Sequence, residues 1–269
     1  MKTDTPVVIL AGGLGLRMRD YSEHLPKALV PIGNMAVVHH VMKIYAHYGF
    51  NRFIICLGYG GDMIKLYFSD IHLKAPNVKI VTGTKSLEVL GKNKDDFEIT
   101  FVDTGLDTQT GGRIKKIEKY IDSENFLATY CDSLGDVNLN DLVEFHLEKK
   151  KTATVTVVHP MSPFGMIEIE NGVVKSFKEK PMLPGFINGG FFAFNKKIFD
   201  YLNDDSVLEG DPLKKLTGEG QLAAYTHDGF WTCMDTHKDV DRLNKLWTTG
   251  IMPNVGVNFQ KAPWKLWDD

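Results

Sequence analysis

A continuous apolar run at residues 7–10, VVIL, leads directly into the glycine-rich segment AGGLG, and Arg17 follows two residues later. A short apolar run that ends in glycine is typical of a strand buried on both faces, as in a parallel sheet. Glycine has no Cβ, so the backbone N–H groups after such a strand can approach an anion closely. This stretch therefore predicts a parallel-sheet protein with an anion-binding loop at the carboxyl end of its first strand.

The loop differs from two well-known phosphate-binding motifs. It lacks the Gly-Lys-Ser/Thr ending of a Walker loop, and Met18 stands where a dinucleotide-binding loop has its third glycine. Arg17 offers a planar guanidinium for phosphate, and Lys27 in HLPKALVPIG supplies a second cation. A tight turn with a solvated arginine is the alternative interpretation. Neither a P-loop kinase nor an NAD-dependent enzyme is favoured.

Strand-like and helix-like segments alternate through the first half of the chain, which predicts an α/β, Rossmann-like fold: a mostly parallel mixed sheet flanked by helices. After about residue 160, Asn171-Gly172 separates two alternating runs and predicts a hairpin. We expect a single domain over 1–269. Its parts are a first half (1–160), a small β-rich second half (161–240) and an irregular, tryptophan-rich C-terminal tail (241–269), which packs on the body or on another subunit.

Composition limits the classes of partner. With 31 basic and 34 acidic residues the net charge is −3, so no broad basic field is available for nucleic acid. The three cysteines provide no disulfide framework and fit a reducing compartment. No apolar run has the length of a signal peptide or a membrane span. We expect a cytoplasmic protein without a membrane partner.

Several further segments occur in order: DTGLDTQTGGRIKKI, TYCDSLGDVNL, FKEKP, INGGFFAFN, GFWTCMDT and KAPWKLW. Together with LAGGLG and PKALVPIG they resemble the sugar-1-phosphate nucleotidylyltransferase family over nearly the whole chain, and in particular its branch that uses CTP and glucose 1-phosphate. The resemblance implies a Mg²⁺-dependent in-line attack on the α-phosphate that forms CDP-glucose and pyrophosphate. It also implies a homo-oligomer, and hexamers are associated with this branch.

The resemblance also implies site residues. Catalytic roles fall on Arg17, Lys27, Asp132 and Lys180, and Mg²⁺ binding falls on Asp132 and Asp235. The implied sugar-phosphate residues are Glu179, Lys180, Asn188 and Gly189. The implied nucleotide-binding residues are Leu10, Ala11, Gly12, Gly13, Leu14, Gly15, Arg17, Lys27, Thr108, Thr110, Gly111, Gly112 and Arg113. The absent side chains of Gly111 and Gly112 are expected to leave room for the base and ribose.

Each of these assignments has a structural alternative. From the sequence alone, Asp132 and Asp235 are read as structural turn or cap aspartates, and the family resemblance reverses this; Asp103 could simply cap a turn. Arg113 is otherwise a solvated cation in the first turn of a helix, and the charged pair Glu179 and Lys180 is otherwise a hairpin end. Tyr130 and Trp231 are expected in the core rather than against a sugar.

The chain departs from the family pattern at three positions. Leu16 replaces a hydroxyl residue before Arg17, and Cys131 and Ser133 flank Asp132 where the family has glycines. An insertion, IMPNVGVNFQ, precedes KAPWK. We expect an active enzyme, because the charged residues of the pattern are all present. The alternatives are a nucleotidylyltransferase with another NTP or phosphorylated acceptor, and a non-catalytic nucleotide-binding homologue.

Overall fold

The computed structural model describes residues 4–13, 15, 25–73, 78–84, 86–89, 95–162, 164–252 and 257–267. Leu14, Leu16 and Arg17 lie outside these residues. The strands are β1 (Val7–Leu10), β2 (Pro31–Ile32), β3 (Met35–Ala36), β4 (Arg52–Leu57), β5 (Val78–Val81), β6 (Ser86–Val89), β7 (Glu98–Asp103), β8 (Asn125–Tyr130), β9 (Ser133–Gly135), β10 (Ala153–Val158), β11 (Met166–Glu170), β12 (Val173–Lys178), β13 (Ile187–Asn195), β14 (Leu222–His227) and β15 (Trp231–Cys233). The α-helices are α1 (Val37–His47), α2 (Gly61–Leu73), α3 (Thr110–Lys116), α4 (Leu139–Lys149), α5 (Asp211–Gly218) and α6 (His237–Thr249). Three short 3₁₀ helices cover Lys27–Leu29, Glu118–Tyr120 and Lys196–Tyr201.

Seven strands form the main sheet, in the order β14-β10-β13-β8-β1-β4-β7. β13 runs antiparallel to both β8 and β10, and the other neighbours pair in parallel. This confirms the predicted mostly parallel, mixed sheet. The chain passes from β1 to β4 on one side and later to β8 on the other, so the strand order reverses at β1. In open α/β sheets a ligand crevice forms outside the carboxyl ends of the strands at such a reversal.

The first strand lies at the centre because both of its faces are apolar. Successive side chains of a strand point to opposite faces. Val7 and Ile9 accordingly pack in the core cluster that contains α1, whereas Val8 and Leu10 pack in the cluster that contains Ile114 of α3. All four residues of β1 are buried, so the predicted two-sided burial is confirmed and the glycine loop starts from a rigid support.

The predicted Asn-Gly hairpin is confirmed. β11 and β12 pair antiparallel, and Asn171 and Gly172 have φ angles of 50° and 78°, as a type I′ turn requires. Both strands are almost wholly exposed. Large apolar side chains on and beside them face solvent, including Phe164 at 74% and Ile169 at 68% exposure. The hairpin is therefore a ribbon whose apolar residues the rest of the described chain leaves uncovered.

The C-terminal region is more ordered than the sequence predicts. Residues 241–249 of the predicted tail belong to α6, whose start is fixed by a capping box between Thr236 and Asp239. Gly250 ends the helix in the left-handed conformation. Farther on, Trp264 is completely buried, and its Nε1 donates to Nδ1 of His40 at 3.3 Å. Of the two alternatives for the tail, packing on the body is correct for this segment.

Candidate active site

A cavity of about 760 Å³ opens at the carboxyl ends of β1 and β8, where the sheet order reverses. Its volume lies within the usual range for small-molecule sites. The residues that line it are Leu10, Ala11, Gly13, Gly15, Lys27, Ala28, Leu106, Asp107, Thr108, Gln109, Thr110, Arg113, Tyr130, Cys131, Asp132, Glu209 and Asp235. Many residues predicted from separate motifs therefore meet in one cavity.

The two predicted metal ligands converge on Lys27. Asp132 follows the carboxyl end of β8, and Asp235 follows β15, which pairs with β9 directly after Asp132. A hydrogen bond from Met234 N to Asp132 O, 3.0 Å long, holds the segment of Asp235 beside that of Asp132. The Lys27 ammonium forms an ion pair with Asp132 and donates to Asp235 Oδ1 at 2.6 Å. The two aspartates therefore share one counter-ion, and their binding of Mg²⁺ stays a prediction.

The electrostatics of this trio keep Lys27 charged. Burial alone would lower the pKa of Lys27, but the Asp132 charge and the hydrogen bonds to both carboxylates outweigh it and raise the pKa above its ordinary value. Within the described part of the chain no group of three or more His, Cys, Asp or Glu side chains could hold a metal. Two carboxylates suit Mg²⁺, which usually takes one or two from the protein and completes its shell with water and substrate phosphates.

The two cysteines near the carboxylates are neutral thiols. Burial raises the pKa of Cys131 and of Cys233 to about 12 in each case. Cys233 Sγ lies 3.6 Å from Asp235 Oδ2. Ser133 is buried and turned toward Asp132 Oδ1 at 3.5 Å. The structure thus favours small buried residues over a thiol-metal site.

Arg113 reaches from α3 back to the glycine loop and is buried. Its two terminal nitrogens donate at 2.6–3.1 Å to the carbonyl oxygens of Gly12, Leu57, Gly105 and Leu106 and to the hydroxyl of Thr104. The alternative of a solvated first-turn cation is wrong. The guanidinium fastens the first loop to its neighbours, and its predicted contact with a nucleotide stays a prediction.

The glycines of the first loop serve two different purposes. A Cβ on Gly12 would lie 2.1 Å from Arg113 Nη1, so Gly12 makes room for the guanidinium. A Cβ on Gly13 would meet nothing within 4 Å, and Gly13 lines the cavity. Gly15 has a φ of 62°, a conformation that favours glycine. The open main chain at Gly13 leaves a ligand room to approach.

The sequence and the overall fold resemble known proteins. Residues 6–249 match the family model described as nucleotidyl transferase. The chain belongs to the nucleotidyl transferase family. A probable glucose-1-phosphate cytidylyltransferase from Bacillus subtilis is 42% identical over 262 residues, covering 97% of this chain and 99% of that relative. Glucose-1-phosphate cytidylyltransferase from Salmonella typhi is 40% identical over 264 residues, with the same coverage. Among solved structures, HddC from Yersinia pseudotuberculosis has a TM-score of 0.65 and 26% identity, covering 90% of this chain and 98% of that one.

Two glycines that the family resemblance assigns to nucleotide binding are packed closely against the backbone of residues 204–206, and their nucleotide binding stays a prediction. A Cβ on Gly111 would lie 2.8 Å from Ser206 O, and one on Gly112 would lie 2.1 Å from Asp204 O. Their absent side chains were expected to leave room for the base and ribose. The backbone of residues 204–206 fills that space instead. Thr108 and Thr110 do line the cavity.

Sequence reasoning missed Glu209 and Gln109, which also line the cavity. The hydroxyl of Tyr130 donates to Glu209 Oε1, and that of Thr110 donates to Glu209 Oε2 at 2.8 Å. Asn188 Nδ2 donates in turn to the Tyr130 hydroxyl at 3.2 Å. Gln109 stands inside the recognised TQTGGR segment, so it could have been found, whereas Glu209 belongs to no motif.

Tyr130 and Trp231 were both predicted to lie in the core, and Tyr130 meets this prediction only in part. The Tyr130 ring packs edge-on against Phe192 as a core residue would, yet Tyr130 also lines the cavity. Burial, together with the charge of Glu209, raises the pKa of its phenol above the ordinary value. Trp231 packs against the core, as predicted, and its Nε1 donates to Gly189 O at 2.7 Å.

Glu179 and Lys180 are not brought to the cavity. Both are exposed just after β12, and Lys180 Nζ lies 3.8 Å from Glu179 Oε1. Lys180 also has a φ of 46°, a left-handed conformation that is uncommon for a residue with a side chain. Neither residue contributes to the wall around Asp132. The structure at this point matches the hairpin-end alternative, and their binding of a sugar phosphate stays a prediction.

Proposed function

We propose that this nucleotidyl transferase converts CTP and glucose 1-phosphate into CDP-glucose and pyrophosphate. A phosphate oxygen of glucose 1-phosphate attacks the α-phosphorus of CTP, and the bond from that phosphorus to the bridging oxygen of the β-phosphate breaks. The observation that carries the proposal is the convergence of Asp132, Asp235 and Lys27 beside a bare glycine loop. The substrates are taken from relatives at 40–42% identity that align over 97% of the chain.

Both substrates are anions, so the protein must neutralise and align them rather than supply a covalent nucleophile. Lys27 fits this task because its raised pKa favours the charged ammonium. The main chain at Gly13 offers an approach for phosphate oxygens that no side chain obstructs. Arg17 is proposed as the second cation on the triphosphate.

Asp132 and Asp235 would hold Mg²⁺. When bound, Mg²⁺ supplies charge neutralisation and alignment of phosphate oxygens. The carboxylates are held together by Lys27 in advance, so little rearrangement of the backbone is needed to present them. Because the protein supplies only two carboxylates here, coordination positions are left for the substrate phosphates.

The remaining assignments are proposed on the family resemblance. Leu10, Ala11, Gly12, Leu14, Gly15, Thr108, Thr110, Gly111, Gly112 and Arg113 would surround the nucleotide. Glu179, Lys180, Asn188 and Gly189 would bind the sugar phosphate. Asn188 has the firmest support, because it bonds to Tyr130 in the cavity wall. The division into a nucleotide half (1–160), a sugar-phosphate half (161–240) and a C-terminal tail (241–269) remains our proposal.

We also propose a homo-oligomer, with a hexamer as the form to test. Trp264 of the tail is buried within the chain and is not available for contact. The exposed apolar side chains of the β11–β12 hairpin are a better candidate, because an isolated two-stranded ribbon gains little stability alone. Among the described helices none combines the length and apolarity of a membrane span. A cytoplasmic location is proposed from the three unpaired thiols.

The function is tested by pyrophosphate release with each of the four NTPs, glucose 1-phosphate and Mg²⁺. Release with CTP and no other NTP is the expected result. Turnover with another NTP would replace the proposed substrate. Tight nucleotide binding without turnover on any NTP would identify a non-catalytic homologue.

The site is tested by Asp132→Asn, with Asp103→Asn as the matched control. Asp103 ends β7 and Asp132 follows β8 at the same edge of the sheet. Asp103 accepts a hydrogen bond from Gly105 N at 2.9 Å, which asparagine can also accept. We expect Asp132→Asn to fold normally and to lose Mg²⁺-dependent turnover by at least two orders of magnitude, since electrostatic groups of this kind contribute that much. Asp103→Asn should keep activity. Equal activities would remove Asp132 from the mechanism.

A further inference from the structure

A second cavity, of about 270 Å³, lies at the edge of the sheet opposite the candidate active site. β8, β10 and β14 begin at this edge, and antiparallel β13 ends there. We call it the amino-edge pocket and define it by Asn125, His146, Lys150, Lys151, Lys197 and Gln221, which line it. It shares no residue with the cavity around Asp132.

Three ammonium groups line this pocket, while the carboxylates of Asp200 and Glu219 line an adjoining hollow that shares Lys197 and Gln221 with it. Lys150, Lys151 and Lys197 form no side-chain hydrogen bond or ion pair with any described residue. Their neighbour Lys149, by contrast, pairs with Glu148 at 3.2 Å. No carboxylate lines the pocket, although acidic residues outnumber basic ones in the chain, 34 to 31. A concave site lined by one sign of charge concentrates ions of the opposite sign.

Helix capping does not account for all three lysines. Lys150 ends α4 in the left-handed conformation, with a φ of 52°, where glycine or asparagine is usual. A cation is nevertheless favourable at the carbonyl end of a helix. Lys197 stands in the first turn of the 3₁₀ helix Lys196–Tyr201, so the carbonyl end of a helix does not account for its position.

The floor of the pocket supplies hydrogen-bond donors. Asn125 Oδ1 accepts from Asn195 Nδ2 at 3.2 Å and lies 3.3 Å from His146 Nε2, while Gln221 Oε1 accepts from Thr152 Oγ1 at 3.1 Å. The amide NH₂ groups of Asn125 and Gln221 have no partner among the described residues. His146 is buried and its pKa is lowered to about 4, so it is neutral at pH 7 and the pocket's charge comes from lysine.

We propose that the amino-edge pocket binds a phosphate or pyrophosphate group, free or carried by a small metabolite. The lysines supply the positive charge and the two amides supply directed donors, a combination that suits oxyanions. Several lysines around one cavity favour pyrophosphate over phosphate. The proposal does not depend on the reaction assigned to the Asp132 cavity.

The test is calorimetric titration of the full chain with inorganic phosphate and with pyrophosphate, at low ionic strength and without Mg²⁺. The triple variant Lys150→Gln/Lys151→Gln/Lys197→Gln is compared with Lys149→Gln/Lys196→Gln/Lys214→Gln, which removes the same charge from exposed lysines outside the pocket. We expect the pocket variant to weaken binding at least tenfold and the control to stay within twofold of the parent. Equal weakening in both, or no binding to the parent, would overturn the proposal.

A second measurement separates this pocket from the active site and from misfolding. In Lys27→Met, which alters the Asp132 cavity, binding at the amino-edge pocket should persist. In the parent protein, phosphate should shift the side-chain amide NMR signals of Asn125 and Gln221. Shifts confined to residues around Asp132 would overturn the proposal even if the triple variant failed to fold.

Discussion

Replacing Gly12 by alanine tests how the glycine loop is built. An added Cβ would lie 2.1 Å from Arg113 Nη1 and 2.3 Å from its Cζ, well inside contact distance. The end of an arginine side chain can usually move aside. Here it is held by five oxygens, one of them the carbonyl of Gly12 itself. The methyl group therefore has to displace the loop or break some of these bonds.

The cost follows from two effects. Overpacking a close-packed interior costs about 1–3 kcal/mol. Each hydrogen bond from a charged group contributes about 1.5–3 kcal/mol, and we expect at least one bond of Arg113 to be lost. Because the loop relaxes in part, the two effects do not add fully. We expect Gly12→Ala to lower the free energy of unfolding by about 3 kcal/mol, measured by urea denaturation.

Gly13→Ala is the matched control, one residue along the same loop. Its Cβ would meet nothing within 4 Å, so we expect a change in unfolding free energy below about 0.5 kcal/mol. Because Gly13 lines the cavity, the same methyl group should weaken nucleotide binding. Equal urea midpoints for the two variants, or a larger loss in Gly13→Ala, would show that Arg113 does not decide the loop's structure.

Three further outcomes are expected. Lys27→Met leaves Asp132 and Asp235 without their shared cation, so the free energy of unfolding should fall by about 1–3 kcal/mol without Mg²⁺. Added Mg²⁺ should raise the melting temperature of this variant more than that of the parent. Burial lowers the pKa of His40 to about 4, below its value in the unfolded chain, so the unfolded state takes up the proton first as the pH falls. The unfolding free energy should therefore fall by about 3 kcal/mol between pH 6.5 and pH 4. The His40→Gln variant should show a flatter dependence of unfolding free energy on pH. Trp264→Ala should cost about 3–5 kcal/mol in a urea titration, because Trp264 is wholly buried.

The sheet was predictable because its signals are local. The run at residues 7–10 is apolar at every position, which only two-sided burial explains, and both faces of β1 are covered. The Asn-Gly pair similarly fixes the β11–β12 turn through its own backbone preferences. Helix α6 was missed although Val240, Leu243 and Leu246 recur at helical spacing and are buried, so its apolar stripe could have been read from the sequence. Its start depends on a capping box rather than on a long apolar face.

The convergence of the site was predictable only in part. Asp132 and Asp235 each follow a strand, so their position at one edge could be expected, and family resemblance singled them out. The two carboxylates reach the same Lys27 ammonium because β9 pairs with β15, two short strands outside the main sheet. Glu209 could not be found at all, because a carboxylate that bonds to Tyr130 and Thr110 leaves no local pattern.

Gly12 and Gly13 show where sequence reasoning stops. Both are glycines in one loop, and the pattern assigns both to anion binding. In the structure only Gly13 has open space beside it, whereas the room beside Gly12 is taken by an arginine from α3. The family resemblance assigned that arginine to the nucleotide. In the structure the carbonyl oxygens around the loop accept its hydrogen bonds. In this loop Gly12 makes room for a side chain of the protein, and Gly13 leaves room for a ligand. Arg113, which is distant in the sequence, determines this difference.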